Sequence, residues 1–175
     1  MSASRLRFAD CDPRLDPAKT LIDELSQELA VRYDFTDDGT AGYVAEEACA
    51  AGHSFVVAWL AEELIGCAAL RPLEEGAAEV KRMYVRPAFR GRGFAGVLLS
   101  ELERRAREMG YDVVRLETAN RQPEAIRVYQ RAGYVRTAPF GYYANDARSL
   151  FFEKDLRLDR DDRSFHSLQR SMDQP

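Results

Sequence analysis

Two arginines and two glycines fall together in Arg90-Gly91-Arg92-Gly93-Phe94-Ala95, between a strand-like run ending at Val85 and an amphipathic helix ending near Gly110. A glycine-rich turn that opens a helix is built to hold phosphate. The first-turn N–H groups have no intrahelical acceptors, the helix dipole adds partial positive charge, and glycine lets an anion reach the backbone. The arginines either add charge to such a site or are solvated surface residues. Gly91 to Gly96 also matches G-x-G-x-x-G, and Glu117 lies about twenty residues on, where a dinucleotide-binding unit keeps its ribose-binding acid. Such a unit opens its βαβ series with the fingerprint, whereas here most of the sheet precedes the turn and only about 80 residues follow.

Taken as R-x-x-G-x-A from Arg90, with the strand Glu79 to Val85 before it, the same turn resembles the acetyl-CoA motif of the GNAT superfamily of acyltransferases. Leu116 to Asn120, followed by Pro123 to Tyr134, resembles the family's second motif, a strand ending near an Asn and a short helix that carries a Tyr and closes in Gly-aromatic. The two motifs cover about 55 residues in the family's order and spacing. The resemblance implies an α/β fold with a mixed, twisted central sheet of about six to seven strands. About four helices flank the sheet, which splays between its fourth and fifth strands to admit the cofactor. It also implies acetyl-CoA as donor and a primary amine of a small molecule or amino acid as acceptor, joined by direct attack in a ternary complex.

Site roles follow from the same resemblance. Backbone amides of Gly91, Arg92, Gly93, Phe94 and Ala95, with Arg90 beside them, would hold the diphosphate. The backbone of Met83, Tyr84 and Val85 would pair with the pantetheine amides as an added strand. Glu79, eleven residues before Arg90, stands where a base glutamate occurs in the histone-acetyltransferase-like branch. An amine of pKa near 10 needs such a carboxylate, directly or through water. The alternative for Glu79 is a salt bridge to Lys81 or Arg82. Tyr129, four residues before Gly133, matches the family tyrosine that faces the thioester sulfur, although the stripe Ala125, Val128, Tyr129, Ala132 also suits a core aromatic. Asn120 would hydrogen-bond the pantetheine arm or serve as a turn residue. Tyr142 and Tyr143, with Tyr33 or Phe35 opposite, could line an acceptor pocket or pack on the sheet. A non-catalytic acyl-CoA sensor would need the cradle but neither Glu79 nor Tyr129.

Composition restricts the classes further. The chain has 175 residues, 46% hydrophobic and 31% charged, with a net charge of -4, which suits one domain with a sizeable core. Basic residues are dispersed beside acids, so a nucleic-acid partner is not expected. The longest apolar stretch, Phe55 to Ala61, is too short to span a bilayer, and no signal-like apolar run follows Met1. Cys11, Cys49 and Cys67 are widely spaced and odd in number, and only His53 and His166 are present. These counts suggest reduced thiols in a cytoplasmic protein and no metal site.

The elements that must position the motif residues are legible in the pattern. Arg5 to Ala9 alternates as an edge strand, and Leu21, Ile22, Leu25 and Leu29 recur at helical spacing. A second short helix is expected over Tyr43 to Ala50. Phe55 to Leu60 and Leu64 to Leu70 form a hairpin around an acidic tip, and Glu74-Glu75-Gly76 turns the chain into the Glu79 strand. Period-two alternation places Glu79, Lys81, Met83 and Val85 on one face of that strand and Val80, Arg82 and Tyr84 on the other, barring a bulge. Phe94 to Met109 forms a helix, followed by a parallel strand from Val113 to Thr118 across a right-handed crossover. Pro123 opens the last helix and Gly133 closes it. Tyr134 to Thr137 and Leu150 to Leu156 complete the sheet. The domain is expected to span 1–156, with 157–175 a flexible charged tail. A homodimer through sheet edges is left open.

Overall fold

The computed structural model describes residues 6–33 and 50–158. Both faces of the hairpin strands are apolar, which a sheet covered on both sides requires. In β2 (Ser54–Leu60), Phe55 and Val57 point to one face and Val56 and Ala58 to the other, and all four are buried. Around β2 lie β1 (Leu6–Asp10), β3 (Glu63–Glu74) and β4 (Ala77–Val85), joined as an antiparallel meander. The chain then crosses through α2 (Phe94–Glu108) to β5 (Val113–Ala119), which runs parallel to β4. After α3 (Pro123–Arg131), β6 (Val135–Arg136) and β7 (Ser149–Asp155) extend the sheet, whose order is β1-β2-β3-β4-β5-β7-β6.

One face is covered by α1 (Ala18–Tyr33), where Ala18, Leu21 and Leu25 pack on Phe55, Val57, Cys67, Ala69 and Tyr84. The other is covered by α2 and α3, with Leu98, Leu99 and Leu102 fully buried against Val56, Leu70 and Val80. Each such leucine stabilises the fold by about 1.5–3 kcal/mol relative to exposure. Glu101 and Arg105 form an ion pair one turn apart at 2.8 Å. The mixed seven-stranded sheet agrees with the sequence-based expectation. Three α-helices stand among the described residues against about four expected, and residues 43–49 of the helix expected over Tyr43 to Ala50 lie outside them.

The alternation expected along β4 holds only to Lys81. Cys67 pairs with Tyr84 but Ala69 with Lys81, so β4 carries one residue more than β3 across this stretch. The bulge is centred on Arg82, a non-glycine residue at φ 51. Beyond it the parity is reversed. Tyr84 joins the α1 face with Cys67, while Met83 and Val85 join the α2 face with Val80. Pairing between β4 and β5 ends at Val80 with Leu116, directly before the bulge. From there the two strands part, and the opening between them is the splay.

Candidate functional site

Two features meet at the splay. The first is the start of α2. A 3-10 turn over Pro87–Phe89 leads to Gly91 at φ 73 and Gly93 at φ 85, and Gly93 is the residue that begins the helix. A left-handed conformation at this position is one that only glycine adopts cheaply. No side chain caps α2, so its first N–H groups keep their capacity to bind an anion. A Cβ built on Gly91, Gly93 or Gly96 meets nothing within 4 Å, so the surface before these amides is open. A diphosphate fits there. Arg92 is exposed and lies over the Phe94 ring at 5.1 Å and the Phe89 ring at 5.8 Å, on the lip of the cradle. Arg90 is committed elsewhere. Its Nε donates to the Val85 carbonyl at 2.8 Å and its Nη2 to Glu28 Oε2 at 2.6 Å, which ties α1 to this lip.

The second feature is a cleft of about 170 Å³ between β4 and β5, roofed by α1 and closed by the chain before β7. Its apolar wall includes Leu25, Leu29 and Met83, and its ionisable lining is Lys81, Arg82, Glu117, Asp146 and Arg148, with the phenols Tyr33, Tyr129 and Tyr143. The Tyr129 ring packs 6.2 Å from both Tyr134 and Phe152. Burial, and secondarily the charge of Glu117, pushes its phenol well above the ordinary range. Tyr129 is thus both core aromatic and cleft residue. Glu117 is largely buried and accepts a hydrogen bond from the Ser149 hydroxyl. Burial raises its carboxyl above the usual value, Glu79 and Asp146 add to the rise, and Ser149 and Lys81 oppose it.

Glu79 adjoins the cleft without lining it. It is 3% exposed, accepts from Arg71 Nε at 2.9 Å and Nη2 at 2.7 Å, and lies 3.4 Å from Nζ of Lys81, which does line the cleft. The partner foreseen as Lys81 or Arg82 is principally Arg71, brought opposite by the pairing of β3 with β4. Asn120 is exposed, its backbone N–H donates to the Arg148 carbonyl at 2.8 Å, and Gln122 rather than Asn120 lines the cleft. Met83, Tyr84 and Val85 follow the bulge where β5 has left, so the strand edge expected to face the pantetheine arm borders the opening. Tyr143 and Tyr33 line the cleft, Tyr142 is 74% exposed, and Phe35 lies outside the described residues.

In the sequence Glu117 reads only as a ribose-binding acid. Its place in the cleft comes from the β4–β5 register, which continued by one step sets Glu117 beside Lys81 where the strands part.

Comparisons with known proteins agree with this geometry. Residues 21–134 match the model of the acetyltransferase (GNAT) family. An IAA acetyltransferase of Azospirillum brasilense is 40% identical over 103 residues, covering 58% of this chain and 67% of that protein. An uncharacterized N-acetyltransferase of Schizosaccharomyces pombe is 31% identical over 141 residues, 79% of this chain and 85% of its own. A crystal structure from Klebsiella pneumoniae, described as a candidate acyl-CoA N-acyltransferase, superposes with a TM-score of 0.72 at 29% identity, covering 87% of this chain and 99% of that one.

Proposed function

Because the chain belongs to the GNAT acetyltransferase family, we propose that it transfers the acetyl group of acetyl-CoA to the primary amine of a small acceptor held in the cleft, by direct attack in a ternary complex. The observation that carries this reading is the meeting, at one splay, of an open anion cradle with a part-buried carboxylate and a buried phenol. The diphosphate rests on the amides of Gly91 to Ala95 with Arg92 alongside, and the pantetheine arm follows Met83 to Val85.

Glu117 takes the amine's proton, directly or through a water. Its position in the cleft lining suits a general base, and its raised carboxyl makes it a stronger one than an ordinary glutamate. Glu79, expected from its spacing to serve as base, is held by Arg71 and acts by ordering Lys81 and the strand. The amine nitrogen bonds to the thioester carbonyl carbon, the carbon–sulfur bond breaks, and the nitrogen's second excess proton passes to the leaving sulfur, so that coenzyme A departs as thiol. The leaving sulfur accepts a hydrogen bond from Tyr129, whose phenol keeps its proton throughout the working range.

The test is thermal shift with acetyl-CoA and with NADH, followed by free-thiol release across a panel of primary amines. Acetyl-CoA alone is expected to stabilise the protein, and at least one amine to release thiol. Stabilisation by NADH instead would support the dinucleotide reading. Acetyl-CoA binding with no thiol release for any amine would support the sensor.

A further inference from the structure

Lys81 is a cation of the cleft whose ion pair with Glu79 is long. Asp146 and Arg148 cancel at its rim, bound to each other at 2.7 Å. Glu79 already takes two donors from Arg71 on one oxygen, and Lys81 reaches its other oxygen only at 3.4 Å, beyond the roughly 2.7–2.9 Å of a strong charge-assisted bond. Glu79 therefore answers Arg71 first, and the carboxylate of Glu117, across the parting strands, is the other anionic neighbour of Lys81. The lysine's remaining contact is the Tyr143 ring at 5.1 Å, and its side chain is only 10% exposed. An acceptor ammonium that engages Glu117 draws that carboxylate away from Lys81, and an ammonium left so at that depth is costly unless an anion joins it.

We propose that the acceptor carries a carboxylate seated on Lys81, next to the amine that faces Glu117, so that the substrate class is an α-amino acid or a close amino carboxylate. This rests on the transferase reading above. Lys81 and Glu117 follow Val80 and Leu116, the last paired residues of β4 and β5, and so stand side by side on the face where the strands part. An α-amino acid carries its ammonium and carboxylate on one carbon, and neighbouring charges of opposite sign read that pair. A diamine would instead bring its second charge against Lys81. The cleft, about 170 Å³, is below the roughly 300–1,000 Å³ of ordinary ligand pockets, which suits an acceptor of amino-acid size. Leu25, Leu29 and Met83 offer its side chain an apolar wall.

Initial-rate kinetics at saturating acetyl-CoA test this with matched pairs: phenylalanine against phenethylamine, leucine against isoamylamine, and serine against ethanolamine. In the parent protein the preferred pair should favour the amino acid by about 10-fold or more in kcat/KM. Lys81→Met should shrink that preference by about 10-fold, mainly through KM, and Lys81→Arg should keep most of it. Because the readout is a ratio, changes in the chemistry common to both members cancel. The inference is overturned if the decarboxylated amine is used as well as its amino acid, or if a folded Lys81→Met protein keeps the full preference. It also falls if other amines release thiol while every amino acid is inert, an outcome that leaves the transferase reading standing. Absence of thiol release with any amine removes both.

Discussion

Glu117 and Tyr129 stand twelve residues apart in sequence and meet in one cleft, and burial gives each an altered acidity whose consequences can be measured. Burial raises the Glu117 carboxyl above the value of 4.5 that it has in the unfolded chain, so the folded protein binds this proton more tightly. Its contribution to stability is therefore greatest below pH 4.5 and is lost as pH rises through the folded value. Glu117→Gln should consequently lose about 100-fold or more in kcat together with the acid limb of the pH profile, yet unfold at a higher temperature than the parent at pH 7, with the gap closing toward pH 4. Unchanged turnover in this variant would remove Glu117 from the reaction. Tyr129→Phe keeps the ring against Tyr134 and Phe152 and deletes only the hydroxyl. Its kcat should fall by about 100-fold with little change in melting temperature, and a variant with full turnover would return Tyr129 to a packing role.

At the scale of elements, the bulge in β4 decides what faces the splay, and Gly66 of β3 makes it feasible. A Cβ at Gly66 would lie 2.2 Å from the Tyr84 carbonyl oxygen, a backbone atom with no flexible end to yield. Gly66→Ala should therefore cost about 1–3 kcal/mol by denaturant unfolding and weaken acetyl-CoA binding, since relief comes only by shifting residues 84 and 85. At the cradle, Gly93→Val forces a β-branched residue to φ 85 and adds bulk before the open amides. Calorimetry should find acetyl-CoA binding weakened by more than 10-fold while the circular dichroism stays close to the parent's. The cradle was legible in the sequence because two glycines and a helix start are local signals. The helix periods of α1 and α2 and the turn at Glu74 to Gly76 were legible for the same reason. The bulge was not, since Arg82 carries none of the marks of a residue at positive φ, and its parity reversal moved Met83 and Val85 to the opposite face. Its distance along the chain marks Glu79 as a base or an ion-pair member. Its partner Arg71 comes from the neighbouring strand, and only the pairing of β3 with β4 brings them together.

For the whole molecule, the sheet consists of two parts joined by one core but by little strand pairing. The meander β1 to β4 with α1 joins β5 to β7 and α3 through four paired positions, Ala77 to Val80 with Val113 to Leu116, and through the crossover helix α2. Ion pairs assist on both sides of the opening. Arg115 meets Glu74 at 2.6 Å, Arg32 of α1 meets Glu124 of α3, and Glu28 of α1 meets Arg90 at 2.6 Å. Pairs as exposed as these contribute about 0–1 kcal/mol each, too little to lock the two parts together. A ligand lying along Met83 to Val85 with its phosphates on Gly91 to Ala95 would touch both sides of the opening and so link what the sheet leaves apart. Acetyl-CoA at 100 times its Kd adds about 2.7 kcal/mol to stability, which in a domain of this size raises the melting temperature by roughly 5–10 °C. Hydrogen exchange should localise that gain. Amides of residues 83–85 and 91–96 and of α3 should slow, while those of β1 and β2, remote from the splay in the strand order, should exchange as before. Slowing centred on β1 and β2 with the cradle unaffected would place the cofactor elsewhere on the molecule.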